Sequence, residues 1–191
     1  GGFIEGIAGY GTAVAIPAAI MISLGFSPMT AAMICLLANS TPTAFGTVGL
    51  PVTTMISNFG LNAQQTALFT SLLLLILTCI IPFILVVFAN KEIDGGKNPA
   101  FGKGILPVVI ASIIGYMVQP LIAMTTGAEL PTIISSLIAM ILMIVATKMF
   151  VKAEEGFETV AVSTKDAILA WLPYILMVVL IVGTSPVVKV I

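Results

Sequence analysis

The chain contains no histidine and no arginine, and charged residues make up only 8% of its 191 positions. Without histidine there is no imidazole to serve as a general base or a metal ligand. Without arginine no carboxylate or phosphate can be gripped by a bidentate guanidinium. Seven lysines against eight acidic residues leave a net charge of -1, which supplies neither the basic surface of a nucleic-acid binder nor an acidic disordered tail. Two cysteines, Cys35 and Cys79, stand far apart in apolar runs; they form no zinc-type pair and no disulfide framework, and read as small core hydrophobes. No cofactor or metal is expected. An initiating methionine and the charged n-region of a signal peptide are missing as well, so the chain is expected to be an internal piece of a longer protein.

What is abundant is apolar. Hydrophobic residues make up 59% of the chain and the mean hydropathy is +1.21, which excludes an ordinary water-soluble domain. A helix crosses a bilayer with roughly 20 mostly apolar residues. Four stretches meet that requirement: Ala67–Ala89, Gly104–Met124, Pro131–Val151 and Ala167–Val188. Asn62 followed by Gln65 resembles a capping box ahead of the first. Lys148 is near enough to an end to snorkel, and the internal prolines Pro82, Pro107, Pro120 and Pro173 predict kinks. The expected fold is all-α and transmembrane, a multi-pass helical bundle.

Lysines sort by loop. Segment 90–103 holds Lys91, Lys97 and Lys103, and segment 148–165 holds Lys148, Lys152 and Lys165, whereas Ser57–Thr66 and Thr125–Leu130 hold none. That alternation keeps step with the four spans and puts the lysine-rich loops in the cytoplasm. Glu92, Asp94, Glu154, Glu155 and Glu158 then read as solvated surface. Trp171 and Tyr174 fit an interfacial belt or simple packing equally well.

The first 58 residues differ in kind from residues 59–191. Gly1, Gly2, Gly6, Gly9 and Gly11 crowd one region, and Thr41-Pro42, Gly46, Gly49 and Pro51 a second. Such punctuation predicts broken or re-entrant helices, and irregular backbone at membrane depth persists only when buried in protein or lining an aqueous cavity. The pattern predicts a helix over Thr12–Leu24, a turn at Gly25-Phe26, and a second helix from Ser27-Pro28 to about Ala38, with Ser27 as N-cap and proline at the first helical position. Asn39-Ser40-Thr41-Pro42-Thr43 then interrupts the apolar run, and a short helix restarts past Gly46-Thr47-Val48-Gly49. Half-helix N-termini near Thr12 and Thr47 would offer backbone N–H groups and positive dipole ends to an anion. Small residues also line ordinary helix contacts, and Gly2 with Gly6 has the small-xxx-small spacing. Taken together, the two clusters favour a binding site. The glycosylation sequon at Asn39-Ser40-Thr41 reads as coincidence in so apolar a setting.

Glu5 is the sole charged residue before Lys91. A charge at the middle of a span costs roughly 2.5 to 3.5 kcal/mol on insertion scales, so an intramembrane carboxylate marks function by default. Removal from water favours its neutral form, which makes Glu5 a candidate proton carrier; the bland alternative places it near a membrane surface. Enzymatic readings find little support. No aspartate lies within a span, no serine sits in a G-x-S-x-G elbow, and Gly9-Tyr10-Gly11 lacks the third glycine and the strand of a dinucleotide site.

The stretch GGFIEGIAGYGTAVAIPAAI from Gly1, followed by ANSTPTAFGTVGLPV from Ala38, resembles the paired signatures of the L-lactate permease family, which includes glycolate permeases. GAELPTIISSL from Gly127 and AWLPYIL from Ala170 resemble later segments of that family in the same order. Tyr10, Ala13 and Ser40 depart from it, standing where phenylalanine, proline and threonine are commoner. The resemblance implies a multi-pass carrier of the prokaryotic plasma membrane, not an enzyme, that imports L-lactate, D-lactate or glycolate by proton symport. It carries the acidic position onto Glu5, the glycine-rich break onto Gly9, Gly11 and Thr12, and the polar break onto Asn39, Ser40 and Thr41. Its partners would be the monocarboxylate, the proton, the lipid bilayer and the remaining helices of the full-length carrier. A passive channel and a structural subunit of a membrane complex are the alternatives.

Overall fold

A computed structural model describes residues 1–9, 11–95, 97, 99–102, 104–151 and 164–184. Tyr10, Lys103, Lys152, Glu154, Glu155, Glu158 and the 185–188 end of the fourth expected span lie outside the described residues. The chain forms two compact units, Gly1–Val151 and Lys152–Ile191. In the first, α1 (Gly2–Ala8), α2 (Thr12–Ser23) and α3 (Pro28–Asn39) lead through a 3-10 turn (Thr43–Phe45) into α4 (Gly46–Phe59). They are followed by α5 (Ala63–Asp94), α6 (Ile105–Met117), α7 (Gln119–Thr126) and α8 (Pro131–Phe150). The second unit contains α9 (Thr164–Thr184). No strand occurs among the described residues.

Among the described residues, three helical stretches are long and apolar enough to cross a membrane: Ala63–Ile93, Ile105–Thr126 and Pro131–Phe150. A fourth arises if α3 and the 3-10 turn with α4 count as one span, bent by 66° at the break. Burial along α5 shows which solvent the fold expects. Phe69, Leu73, Ile76 and Ile80 form a helical stripe exposed by half or more, while Ala67, Ser71, Thr78 and Ile81 on the opposite face are buried. Small and hydroxyl-bearing residues inside with large apolar residues outside is the pattern for a lipid surround, where close backbone approach rather than hydrophobicity drives packing. Each buried hydroxyl returns to its own helix, Ser71 Oγ donating to the Leu68 carbonyl at 2.7 Å and Thr78 Oγ1 to that of Leu74 at 2.9 Å.

The most extensive contact joins α6 to α8. It depends on Gly115, where a β-carbon would fall 2.2 Å from Ala139 Cα. Gly2 and Gly6, four apart on one face of α1, let that short helix lie against Tyr116 and Ile133. Phe45, fully buried with Val52, Ala67, Ala123 and Ala128, pins the bend between α3 and α4 to α5 and α7.

Helix ends follow local chemistry. Ser27 caps α3, accepting from Thr30 N–H, with Pro28 at the first position. Asn62 Oδ1 accepts from Gln65 N–H at 3.0 Å and opens α5. That helix has 32 residues, about 48 Å at 1.5 Å per residue, and overruns the expected Ala67–Ala89 at both ends because caps rather than the limits of the apolar run stop it. Pro82 lies inside this single uninterrupted helix. A break falls instead at Val118, just before Pro120 at the start of α7, where the missing N–H costs nothing. The lysine-bearing ends meet, a β-carbon at Gly104 falling 2.0 Å from the Phe150 carbonyl, and the lysine-free ends lie together at Gly127 and Ala63.

Glu92 is exposed, as a solvated surface residue is expected to be, and also makes two defined hydrogen bonds. One carboxylate oxygen accepts from Ser27 N–H and the other from Thr30 Oγ1, both at 3.0 Å, so it caps the N-terminus of α3 across 65 positions. This ties the tip of the α2–α3 hairpin to the end of α5. Glu92→Ala is expected to speed amide hydrogen exchange at Ser27 in the purified carrier, with Gln65 N–H, capped at the other end of α5, as the unchanged internal control; equal exchange at Ser27 in both proteins would remove the tie.

Candidate functional site

Counting from the Ser27 cap, the 12 residues of α3 descend about 18 Å, roughly half of a bilayer. At that depth the helix stops at Asn39, and the chain runs through the 3-10 turn and an extended Gly46 (φ -65°, ψ 157°) into three left-handed residues: Thr47 (φ 46°), Val48 (φ 58°) and Gly49 (φ 72°). Right-handed geometry resumes at Leu50, past Gly46-Thr47-Val48-Gly49 as the sequence pattern predicts. The left-handed conformation costs roughly 1–2 kcal/mol per residue with a β-carbon, so Thr47 and Val48 together store on the order of 2–4 kcal/mol. Gly49 permits the approach that holds them there, since its Cα comes so near Ala128 that a β-carbon would fall 2.0 Å from that carbonyl oxygen.

The second break, between α1 and α2, crosses this one. Gly9, at φ 61°, ends α1 and packs on Thr47 so tightly that a β-carbon would lie 1.7 Å from Thr47 Oγ1. One turn earlier Glu5 packs on Gly46, whose β-carbon would meet the carboxylate at 2.4 Å. Asn39 lies beside the same carboxylate, and its backbone carbonyl receives the Thr43 hydroxyl. Glu5 is 0% exposed, enclosed by protein. Four buried side-chain atoms have no hydrogen-bond partner here: Glu5 Oε1 and Oε2, Asn39 Oδ1 and Thr47 Oγ1. Three are pure acceptors and one is a hydroxyl. Leaving such atoms unpaired costs about 1–3 kcal/mol each, so a cluster of four marks a place waiting for a proton or a ligand.

Of the residues expected at the site, Glu5, Gly9 and Asn39 are brought together. Ser40 and Thr41 turn away, their hydroxyls donating to the Leu37 carbonyl at 2.7 Å and the Ala38 carbonyl at 3.2 Å. Thr41 instead lines a cavity of about 330 Å³ together with Ala38, Thr78, Ser112 and Tyr116. Gly11 (φ 87°) caps α2 without a side-chain hydrogen bond and Thr12 begins that helix; no atom lies within 4 Å of where a Gly11 β-carbon would be. Neither this cavity nor a larger one of about 520 Å³ beside Phe3 and Ser136 is lined by Glu5.

Sequence reasoning passed over two features. Gly46 and Thr47, which the sequence pattern marks only as part of a break and a half-helix N-terminus, are also the surface that receives Glu5 and Gly9. Gln119 donates to Thr132 Oγ1 at 3.1 Å in a buried pair, next to the point where Gly6 meets Thr132 and Ile133; a lone amide in an apolar run before Pro120 was the available signal.

The sequence profile of the family described as L-lactate permease matches residues 1–191. An L-lactate permease of Streptococcus iniae is 44% identical over 191 residues, covering 97% of this chain and 38% of that protein. One from Halalkalibacterium halodurans is 38% identical over 186 residues, covering 92% of this chain and 34% of the relative. A glycolate permease of Escherichia coli is 32% identical over 142 residues, 74% of this chain and 24% of its own length. The match thus spans between 24% and 38% of the length of these relatives. No solved structure matches it. On the profile match over the whole of this chain, together with the identity to these relatives, the chain belongs to the L-lactate permease family.

Proposed function

We propose that this chain is the part of a secondary carrier in which L-lactate, and related small 2-hydroxy monocarboxylates such as glycolate, meet the proton that moves with them. The names of the relatives support the substrate class. The observation that carries the proton role is the fully buried Glu5 carboxylate, with both oxygens unpartnered, at the crossing of two helix breaks. A proton on Glu5 turns one of three clustered acceptors into a donor and removes a buried charge. The anionic end of the substrate rests on backbone N–H groups where helices restart, near Gly11 and Thr12, and its hydroxyl meets Asn39. The cavity at Ala38 and Thr41 is the approach to that point, and the lysine-bearing ends face the cytoplasm. Each cycle carries one proton on Glu5 with one monocarboxylate, so transport is electroneutral.

Uptake of labelled L-lactate by the full-length carrier in liposomes tests this reading. Saturable uptake that accelerates with an inward proton gradient is expected. Flux that rises without saturation would make the protein a passive channel, and no flux above protein-free liposomes would make it a structural subunit.

A further inference from the structure

Thr47 is the member of the buried cluster that the proposed cycle leaves unused. Other hydroxyls on these helices return to the carbonyl three or four residues back, as Thr53 does to Leu50 at 3.1 Å and Ser57 to Thr54 at 3.0 Å. Thr47 is denied that exit, because the extended Gly46 and the left-handed backbone from Thr47 to Gly49 remove the helical carbonyl it would use. An ordinary right-handed turn would satisfy the hydroxyl and relieve two β-branched residues at once. The chain keeps the unfavourable arrangement, which leaves Oγ1 buried, unpartnered and pressed on Gly9, one helical turn from the unpartnered Glu5 carboxylate. Backbone held against its preference is a mark of a binding or switching site.

We infer that Thr47 is a substrate-contact residue: its Oγ1–H donates to the carboxylate of the bound 2-hydroxy acid, and the left-handed turn Thr47–Gly49 exists to present it. The inference rests on the carrier reading above. It adds a hydroxyl donor to a site where the Asn39 amide already faces the Glu5 carboxylate, and it answers the lack of arginine with a hydroxyl that has no hydrogen-bond partner. The donor also separates the two roles, since Glu5 holds the proton and Thr47 holds the anion.

Counterflow of labelled L-lactate in liposomes containing the full-length carrier reads substrate binding without requiring net proton movement. Thr47→Val keeps β-branching, and hence the backbone preference, while removing the donor. It is expected to raise KM about tenfold, the equivalent of about 1.4 kcal/mol for one hydrogen bond to a charged group. Thr47→Ser is expected to stay within about threefold of wild type. An unchanged KM in Thr47→Val overturns the assignment. Absence of lactate counterflow in the wild-type carrier overturns the carrier reading itself, so the two failures are told apart. As a measurement independent of turnover, Thr47→Cys in a background lacking Cys35 and Cys79 is labelled with a small thiol reagent. Lactate is expected to slow labelling severalfold, and labelling that lactate does not slow overturns the proposal even if Thr47→Val proves too unstable to purify.

Discussion

In liposomes carrying the full-length protein, Glu5→Gln is expected to abolish accumulation of L-lactate against its gradient while counterflow persists. With one proton per substrate, a pH gradient of one unit is worth about 1.4 kcal/mol and supports roughly tenfold accumulation. Glutamine matches glutamate in shape and fits the space bounded by Gly46 and Asn39, but it cannot take up and release the proton. The accumulation ratio should therefore fall from about ten to about one. Glu5→Asp withdraws the carboxylate by one methylene from Gly46 and should weaken accumulation without eliminating it. Tenfold accumulation retained in Glu5→Gln would remove Glu5 from the coupling mechanism.

The second large effect concerns stability. Gly115→Ala is expected to be strongly destabilising, because its β-carbon falls 2.2 Å from Ala139 Cα and 2.6 Å from Ala139 N. Both atoms belong to backbone, so no rotamer change relieves them and α6 must move away from α8. Overpacking of this kind costs about 3 kcal/mol, the upper end of its usual range, at the most extensive helix contact of the unit. Purified Gly115→Ala should show a thermal midpoint many degrees below wild type. Adding Ala139→Gly removes the clash with the side chain, at 2.6 Å, but not the one with Cα, so rescue should be only partial. Gly183→Ala on α9, with no atom within 4 Å of the added carbon, serves as the silent control. A midpoint unchanged by Gly115→Ala would disprove the close approach of α6 and α8.

Much of this architecture was legible because each signal was local. Ser27-Pro28 marks the start of α3 through side-chain capping and the harmless missing N–H of proline, and Asn62 marks the start of α5. Glycine and proline density located both breaks, and the isolation of Glu5 in sequence marks it as a candidate whose surroundings only the fold supplies. What stayed hidden depends on distant partners. The capping of α3 by Glu92 joins residues 65 positions apart. The crossing of the breaks joins Gly9 to Thr47 and Glu5 to Gly46, pairs that no spacing rule connects. The left-handed turn runs against local preference, since threonine and valine resist positive φ, and tertiary contacts at Gly9 and Ala128 hold it in place. The directions of the Ser40 and Thr41 hydroxyls could not be read either, because an α-helix always offers a carbonyl within reach and only the fold decides whether the side chain accepts it.

That Glu5 carries the proton accompanying the substrate is tested most directly by running the coupling backwards. An inward L-lactate gradient is imposed on liposomes containing the full-length carrier, with no initial pH difference, a pH-sensitive dye inside and protein-free liposomes as the blank. The account predicts that the lumen acidifies in step with lactate entry in the wild-type protein and stays at the blank level in Glu5→Gln. Saturable lactate entry without acidification in the wild type, or acidification undiminished in Glu5→Gln, would contradict it.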